Sequence, residues 1–196
     1  MLDALALAVA EKGYAATTVG DVVAGAGVSR KTFYEHFDDK EAAFVAAWDA
    51  GVDRVLSAIR KGRDDGDGPL ERLRFAIRAY LHALADRPAF ARAFLIEVVA
   101  AGPPVEARRA DVHRRFADLI RRLHTEARRN NHHLPELPDE VYPAIVGLMN
   151  ELVSERVRAG RTDELPQLED ALVYLQLVLF AGHDVAAAEA AARAGS

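Results

Sequence analysis

Apolar residues recur along this chain at intervals of three and four, the spacing of one face of an α-helix; no segment alternates apolar and polar residues as a half-buried strand does. Leu2, Leu5, Ala6 and Val9 form a first stripe, which stops at Gly13, a residue suited to end a helix. Thr18 stands three residues before Asp21, the spacing of an N-cap with an acidic partner, and opens a short second helix that ends near Gly25. Gly27 follows in a tight turn, and Ser29 caps a third helix running to about His36. Asp38 and Glu41 resemble another capping box. They start a long amphipathic helix, about 39–60, through Val45, Trp48, Val52, Val55 and Ile59.

The polar, Gly-rich run from Lys61 to Pro69 predicts a loop, dividing the chain into residues 1–48 with their linking helix and residues 61–196. Beyond it the pattern predicts helices at about 69–86, 88–101, 104–129, 139–159 and 166–182, with Pro88, Pro103, Pro104, Pro138 and Pro166 near their starts. The run Ala171–Ala181 is apolar on all sides, and such a helix must be covered on all sides. Val141, Ile145, Met149, Leu152 and Val153 give the preceding helix an apolar face. Together the two helices, about 139–159 and 166–182, predict a homodimer through a four-helix bundle, against the alternative of burial within one subunit.

Composition narrows the classes. A 51% apolar content fills a core, and the absence of Cys excludes disulfides, thiolate nucleophiles and Cys-ligated zinc. No basic segment precedes an apolar run at the N-terminus, and no apolar stretch reaches the roughly 18–20 residues of a membrane span. A cytoplasmic protein that does not enter the membrane is expected. The formal net charge is −5. Residues 1–50 contribute four basic side chains against eight acidic ones, which on average opposes binding to nucleic acid.

The segment from Thr17 to Phe37 nevertheless carries the chemistry of such binding. Val19, Val22, Val23, Val28, Phe33 and Phe37 would lock two short helices around a glycine turn. The second helix offers Arg30, Lys31 and Thr32 from its first turn, where side chains reach base edges in a major groove. Its motifs, Thr17-Thr18-Val19, Ala26-Gly27-Val28-Ser29, Thr32-Phe33-Tyr34, His36-Phe37 and Lys40-Glu41, resemble the signature of the TetR family of bacterial repressors in order and spacing. The resemblance covers about the first fifty residues; the remainder resembles the family in architecture.

The resemblance implies an all-α fold, in which an N-terminal three-helix helix-turn-helix DNA-binding domain is followed by a helical ligand-binding and dimerisation domain. It implies phosphate contacts from Thr18, Tyr34, His36 and Lys40, and puts Ser29, Arg30, Lys31 and Thr32 at the groove, with Arg30 and Lys31 as readers of guanine. Two departures stand out. The chain begins inside the family's first helix, so no arm contacts to the minor groove are expected, and Lys31 replaces a residue that is often small. The implied mechanism is allosteric. A small molecule in the C-terminal domain shifts the linking helix and with it the recognition helices, which must lie about 34–36 Å apart to enter successive major grooves.

Phe90, Phe94 and Glu97 share a stripe, and Phe116, Tyr142, Met149 and Asn150 complete a candidate pocket for an apolar effector. Glu97 is read first as paired with a neighbouring base and second as a ligand contact. Of the arginine pairs at 108/109, 114/115, 121/122 and 128/129, the last three share one face, either a solvated outer face, the favoured reading, or a basic stripe for nucleic acid. His132 and His133 have no third ligand at a metal-binding spacing, so neither metal nor cofactor is expected. Enzyme motifs are absent: there is no Gly-x-Ser-x-Gly and no phosphate-cradling glycine loop. The expected function is a ligand-released repressor on palindromic operator DNA. The alternative is a helical adaptor that has lost DNA binding.

Overall fold

The computed structural model describes residues 1–61, 68–98 and 102–194. Among them, three short helices, α1 (Leu2–Lys12), α2 (Val19–Ala26) and α3 (Arg30–His36), precede the long α4 (Lys40–Lys61). Next come α5 (Pro69–Ala85), α6 (Pro88–Leu95), α7 (Pro103–Asn130) and α8 (Val141–Arg158). A 3-10 segment (Thr162–Leu168), α9 (Glu169–Ala181) and α10 (His183–Ala194) complete the chain. Residues 62–67 of the predicted loop, and 99–101 of the predicted 88–101 helix, lie outside the described residues.

Local chemistry sets most of these boundaries. Thr18 and Asp21 form the reciprocal capping box of α2, each satisfying the other's free backbone N–H. Ser29 Oγ accepts from Thr32 N at 3.0 Å, and Gly27 adopts the left-handed conformation (φ 65°) that turns the chain between α2 and α3. The cap of α4 is Asp39 rather than the expected Asp38: Asp39 Oδ1 accepts from Ala42 N at 2.8 Å. An N-cap side chain reaches the amide three residues on, and only Asp39 immediately precedes the first helical residue.

Two corrections concern the C-terminal helices. Pro166 lies inside the 3-10 segment, so α9 starts at Glu169, and the Ala-rich α10 follows Gly182 as a helix of its own. The predicted dimerisation face of α8 turns inward in part. Ile145 and Val153 are buried in the protomer's own core, which leaves Leu148 and Leu152 on the outer side. On α9 the protomer covers Leu172, Val173, Gln176, Leu177 and Phe180, and leaves Tyr174, Leu175, Val178 and Leu179 partly open. Gln176, the polar exception in the apolar run, is thus an interior residue.

The N-terminal core does not stop at α4. Leu5, Val9, Val22, Phe33, Phe44 and Trp48 share one cluster with Phe94 of α6, Val98 just after it, and Val105 and Val112 of α7. Rings step through it in contact: Tyr14–Phe44 at 4.9 Å, Phe44–Phe94 at 4.8 Å and Phe94–Phe90 at 4.5 Å between centroids. Burying such rings is worth about 1.5–3 kcal/mol each, so the helix-turn-helix is fastened to the body by packing as well as by the chain.

Candidate nucleic-acid interface and effector cavity

The helix-turn-helix is locked as its apolar pattern required. Val22, Val23 and Phe33 are buried, and Val19, Val28 and Phe37 pack half-buried against them. This lock leaves Arg30, Lys31 and Tyr34 outward on α3, Tyr34 with 54% of its surface exposed. Neither Arg30 nor Lys31 makes an ion pair among the described residues, so both cations are available to a partner. The Arg30 guanidinium lies back over α2, 3.3 Å from where a Cβ on Gly20 would stand. His36 is exposed at the end of α3.

Four of the eight predicted contacts are engaged within the protein. The Thr18 hydroxyl is held by Asp21, and the Ser29 and Thr32 hydroxyls lie 2.9 Å apart. Lys40 is the most committed. Its Nζ donates to Tyr14 O at 2.7 Å and Thr17 O at 2.9 Å, and sits 4.2 Å from the centroid of the Tyr14 ring. It ties the loop after α1 to the start of α4, and partial burial lowers its pKa. Two of its three donor hydrogens are therefore spoken for.

The acidic balance of residues 1–50 reads differently once contacts are known. Asp21 is paired with Lys12, Asp3 with Arg87 at 3.2 Å, and Asp49 with Arg108 at 2.6 Å. The Lys12 ammonium, helped by the Thr18 N–H, holds the Asp21 carboxyl well below the usual carboxylate range. Two of these three cations lie beyond residue 50, where a segment count cannot see them.

The same pairing runs along the arginine-rich α7. Arg114 pairs with Asp111, Arg115 with Asp53, Arg121 with Asp118 and Asp139, and Arg128 with Glu136. Four of the six arginines of the stripe are thus paired, which favours the outer-face reading; Arg122 and Arg129 make no ion pair among the described residues.

A cavity of about 110 Å³ opens between α4, α5, α6, α7, α8 and α9. Of the seven predicted pocket residues it gathers Phe90, Phe94, Phe116, Met149 and Asn150. Glu97 and Tyr142 are not in its wall. Glu97 faces Arg92, with Oε1 3.8 Å from Nη2, so it belongs to the base-paired alternative. The Tyr142 hydroxyl lies 3.0 Å from Nδ1 of the buried His124, which stacks on Phe180, and the ring is spent on that interior contact.

Sequence reasoning missed Trp48, Tyr80, Arg109, His113 and Gln176 in the wall. Arg109, Val112, His113 and Phe116 stand at helical spacing on one face of α7, a signal that the attention to paired arginines obscured. Burial, with Arg109 alongside, lowers the His113 pKa, so this ring is neutral near pH 7. No group of three His, Asp or Glu side chains suited to a metal occurs among the described residues, and none of the described helices is long and apolar enough to cross a membrane.

Fold and site together define a helix-turn-helix protein with a cavity-bearing helical body. Residues 2–47 match the family model described as bacterial regulatory proteins, tetR family, and residues 66–154 match that of the tetracyclin repressor-like C-terminal domain. The chain belongs to the TetR family. It is 31% identical over 90 residues, 45% of its length, to the HTH-type transcriptional regulator YerO of Bacillus subtilis. Its matches span 31–42% of the lengths of the curated relatives. Among solved structures it resembles the fatty acid degradation regulator FadR of Bacillus halodurans, with TM-score 0.81, 22% identity, and coverage of 91% of this chain and 95% of that one. It also resembles FadR of Bacillus subtilis, solved in complex with stearoyl-CoA, with TM-score 0.80, 18% identity, and coverage of 92% and 96%. At such identity these two likenesses concern the fold.

Proposed function

We propose that the chain is a ligand-responsive transcriptional regulator, a repressor that binds palindromic operator DNA as a homodimer in the cytoplasm and is released by a small molecule. One observation carries the DNA-binding reading: α3 holds Arg30, Lys31 and Tyr34 outward, with both cations unpaired, on a helix clamped from behind by Phe33. Arg30 and Lys31 would read guanine, and Tyr34, His36, Thr18 and Lys40 would meet phosphates. The dimer is supported by the partly open Tyr174, Leu175, Val178 and Leu179 of α9 and the partly open Leu148 and Leu152 of α8. The effector site is supported by the cavity, whose wall includes Trp48 of the linking helix. The FadR of Bacillus subtilis, of the same fold, holds a ligand with a long apolar chain.

Selection of genomic fragments by the purified protein tests this reading. A palindromic consensus is the expected result. No enrichment even at low salt overturns it in favour of an adaptor, the reading that the net charge of −5 favours.

A further inference from the structure

The cavity wall is apolar apart from a few polar side chains, and no carboxylate lines it among the described residues. Arg109 is the one formal charge in that wall at neutral pH, because His113 beside it is kept neutral. Its neighbour Arg108 is held by Asp49 at 2.6 Å and Asp111 at 3.0 Å. Arg109 itself makes no ion pair or hydrogen bond among the described residues, and it is half-buried, so it stands where the cavity meets solvent. Arg108, Arg114, Arg115, Arg121 and Arg128 of α7 are paired; Arg122 and Arg129 make no ion pair among the described residues either, but of the three only Arg109 lines the cavity. An unpaired guanidinium at the rim of an apolar chamber forgoes hydrogen bonds that an anion would restore. The neutral His113, and Asn150 across the cavity, add hydrogen-bonding groups without opposing charge.

From this geometry we infer that the cavity binds an anionic amphiphile, its apolar chain lying among Trp48, Phe94 and Phe116 and its carboxylate or phosphate oxygens on Arg109. The inference rests on the proposed effector site and gives it a ligand class. A volume of about 110 Å³, against the roughly 150 Å³ of a cavity that takes benzene, encloses only part of such a chain, and the remainder lies along the opening. The anion has two sources, the carboxylate of a free fatty acid or the phosphates of its coenzyme A thioester.

Trp48 is the only tryptophan in the chain and lines the cavity, so its emission reports occupancy. Decanoate, decanoyl-CoA and the uncharged decanol are titrated against the full chain and against Arg109→Gln and Arg109→Lys. At least one anion is expected to bind more tightly than decanol. Arg109→Gln should weaken that anion about tenfold or more, Arg109→Lys should retain much of it, and decanol should bind wild type and variants alike. Loss with decanoate identifies the free acid as the source, and loss confined to decanoyl-CoA identifies the thioester.

Decanol binding as tightly as both anions, or Arg109→Gln leaving both anions unchanged, overturns the inference while the cavity stands as an effector site. Failure of all three probes to alter Trp48 emission also overturns it. Operator selection on the same preparation then shows whether the regulatory reading stands without it.

Discussion

Gly51 of α4 lies directly beneath the ring of Phe90 of α6: a Cβ at position 51 would stand 1.8 Å from Phe90 Cε2. Phe90 lines the cavity, and its ring touches Phe94, which in turn meets Phe44 and Trp48 of α4. The linking helix is thus in contact with the cavity wall at the place where it can least give way. A ligand that turns Phe90 must press on α4 or let it slide, and α4 begins where Lys40 is tied to the loop after α1. This contiguity gives the proposed allostery a physical path.

Gly51→Ala tests that contact. Alanine raises helix propensity by about 1 kcal/mol, but the methyl group drives the ring off its seat, and overpacking costs about 1–3 kcal/mol. Net destabilisation is expected in urea unfolding. Combined with Phe90→Ala, the substitution should cost less than the two singles together. Strict additivity in the double-mutant cycle would show that the two residues do not press on each other.

Arg30 and Lys40 should separate in the kind of damage they cause. Arg30→Ala is expected to leave stability nearly unchanged and to weaken operator binding by about 1–3 kcal/mol, relaxing preference at one base pair of each half-site. Lys40→Ala removes the strut on Tyr14 O and Thr17 O, so it should lower Tm as well as operator affinity. A Lys40→Ala protein with unchanged Tm and a shallower salt dependence would make Lys40 a phosphate contact only.

The open face of α9 predicts the oligomeric state. Leu179, 40% exposed in the protomer, should be covered in the dimer. Leu179→Glu would bury an unpaired carboxylate there, at a cost of about 3–5 kcal/mol, and should give monomers in light scattering with helicity intact. A variant that remains dimeric would place the interface elsewhere.

The buried histidines set an acid limit. Burial, reinforced by Arg128, lowers the His124 pKa, and burial with Arg109 does the same for His113. As pH falls past the ordinary histidine value of about 6.5, the unfolded chain takes up protons that the fold refuses, so stability is full above that value and declines below it. Tm should therefore drop between about pH 7 and about pH 5. His124→Phe, which can keep the stack on Phe180, should show a shallower drop over that range. A second decline is expected below about pH 4, where the unfolded chain's carboxylates take up protons that Asp21 and Glu169, held low by Lys12 and Arg78, resist in the fold.

The sequence by itself determined what is local. The capping pair Thr18–Asp21, the Ser29 cap, the turn at Gly27 and the helical stripes follow from short-range backbone chemistry, and they place Arg30 and Lys31 at the first turn of α3. It also carried the family signature. The tertiary structure decided what depends on neighbours distant in the chain. The sequence cannot say which of several acids an arginine meets, so it could not show that Arg87 and Arg108 neutralise Asp3 and Asp49, or that Arg109 is left unpaired. Apolar stripes name a face without naming what covers it, so Ile145 and Val153 pointed to a partner subunit when they belong to the protomer's core. Helical periodicity also cannot distinguish a filled interior from a hollow one. The cavity beside Trp48 exists because six helices meet there without filling the space, a property of their packing that no single stretch of sequence encodes.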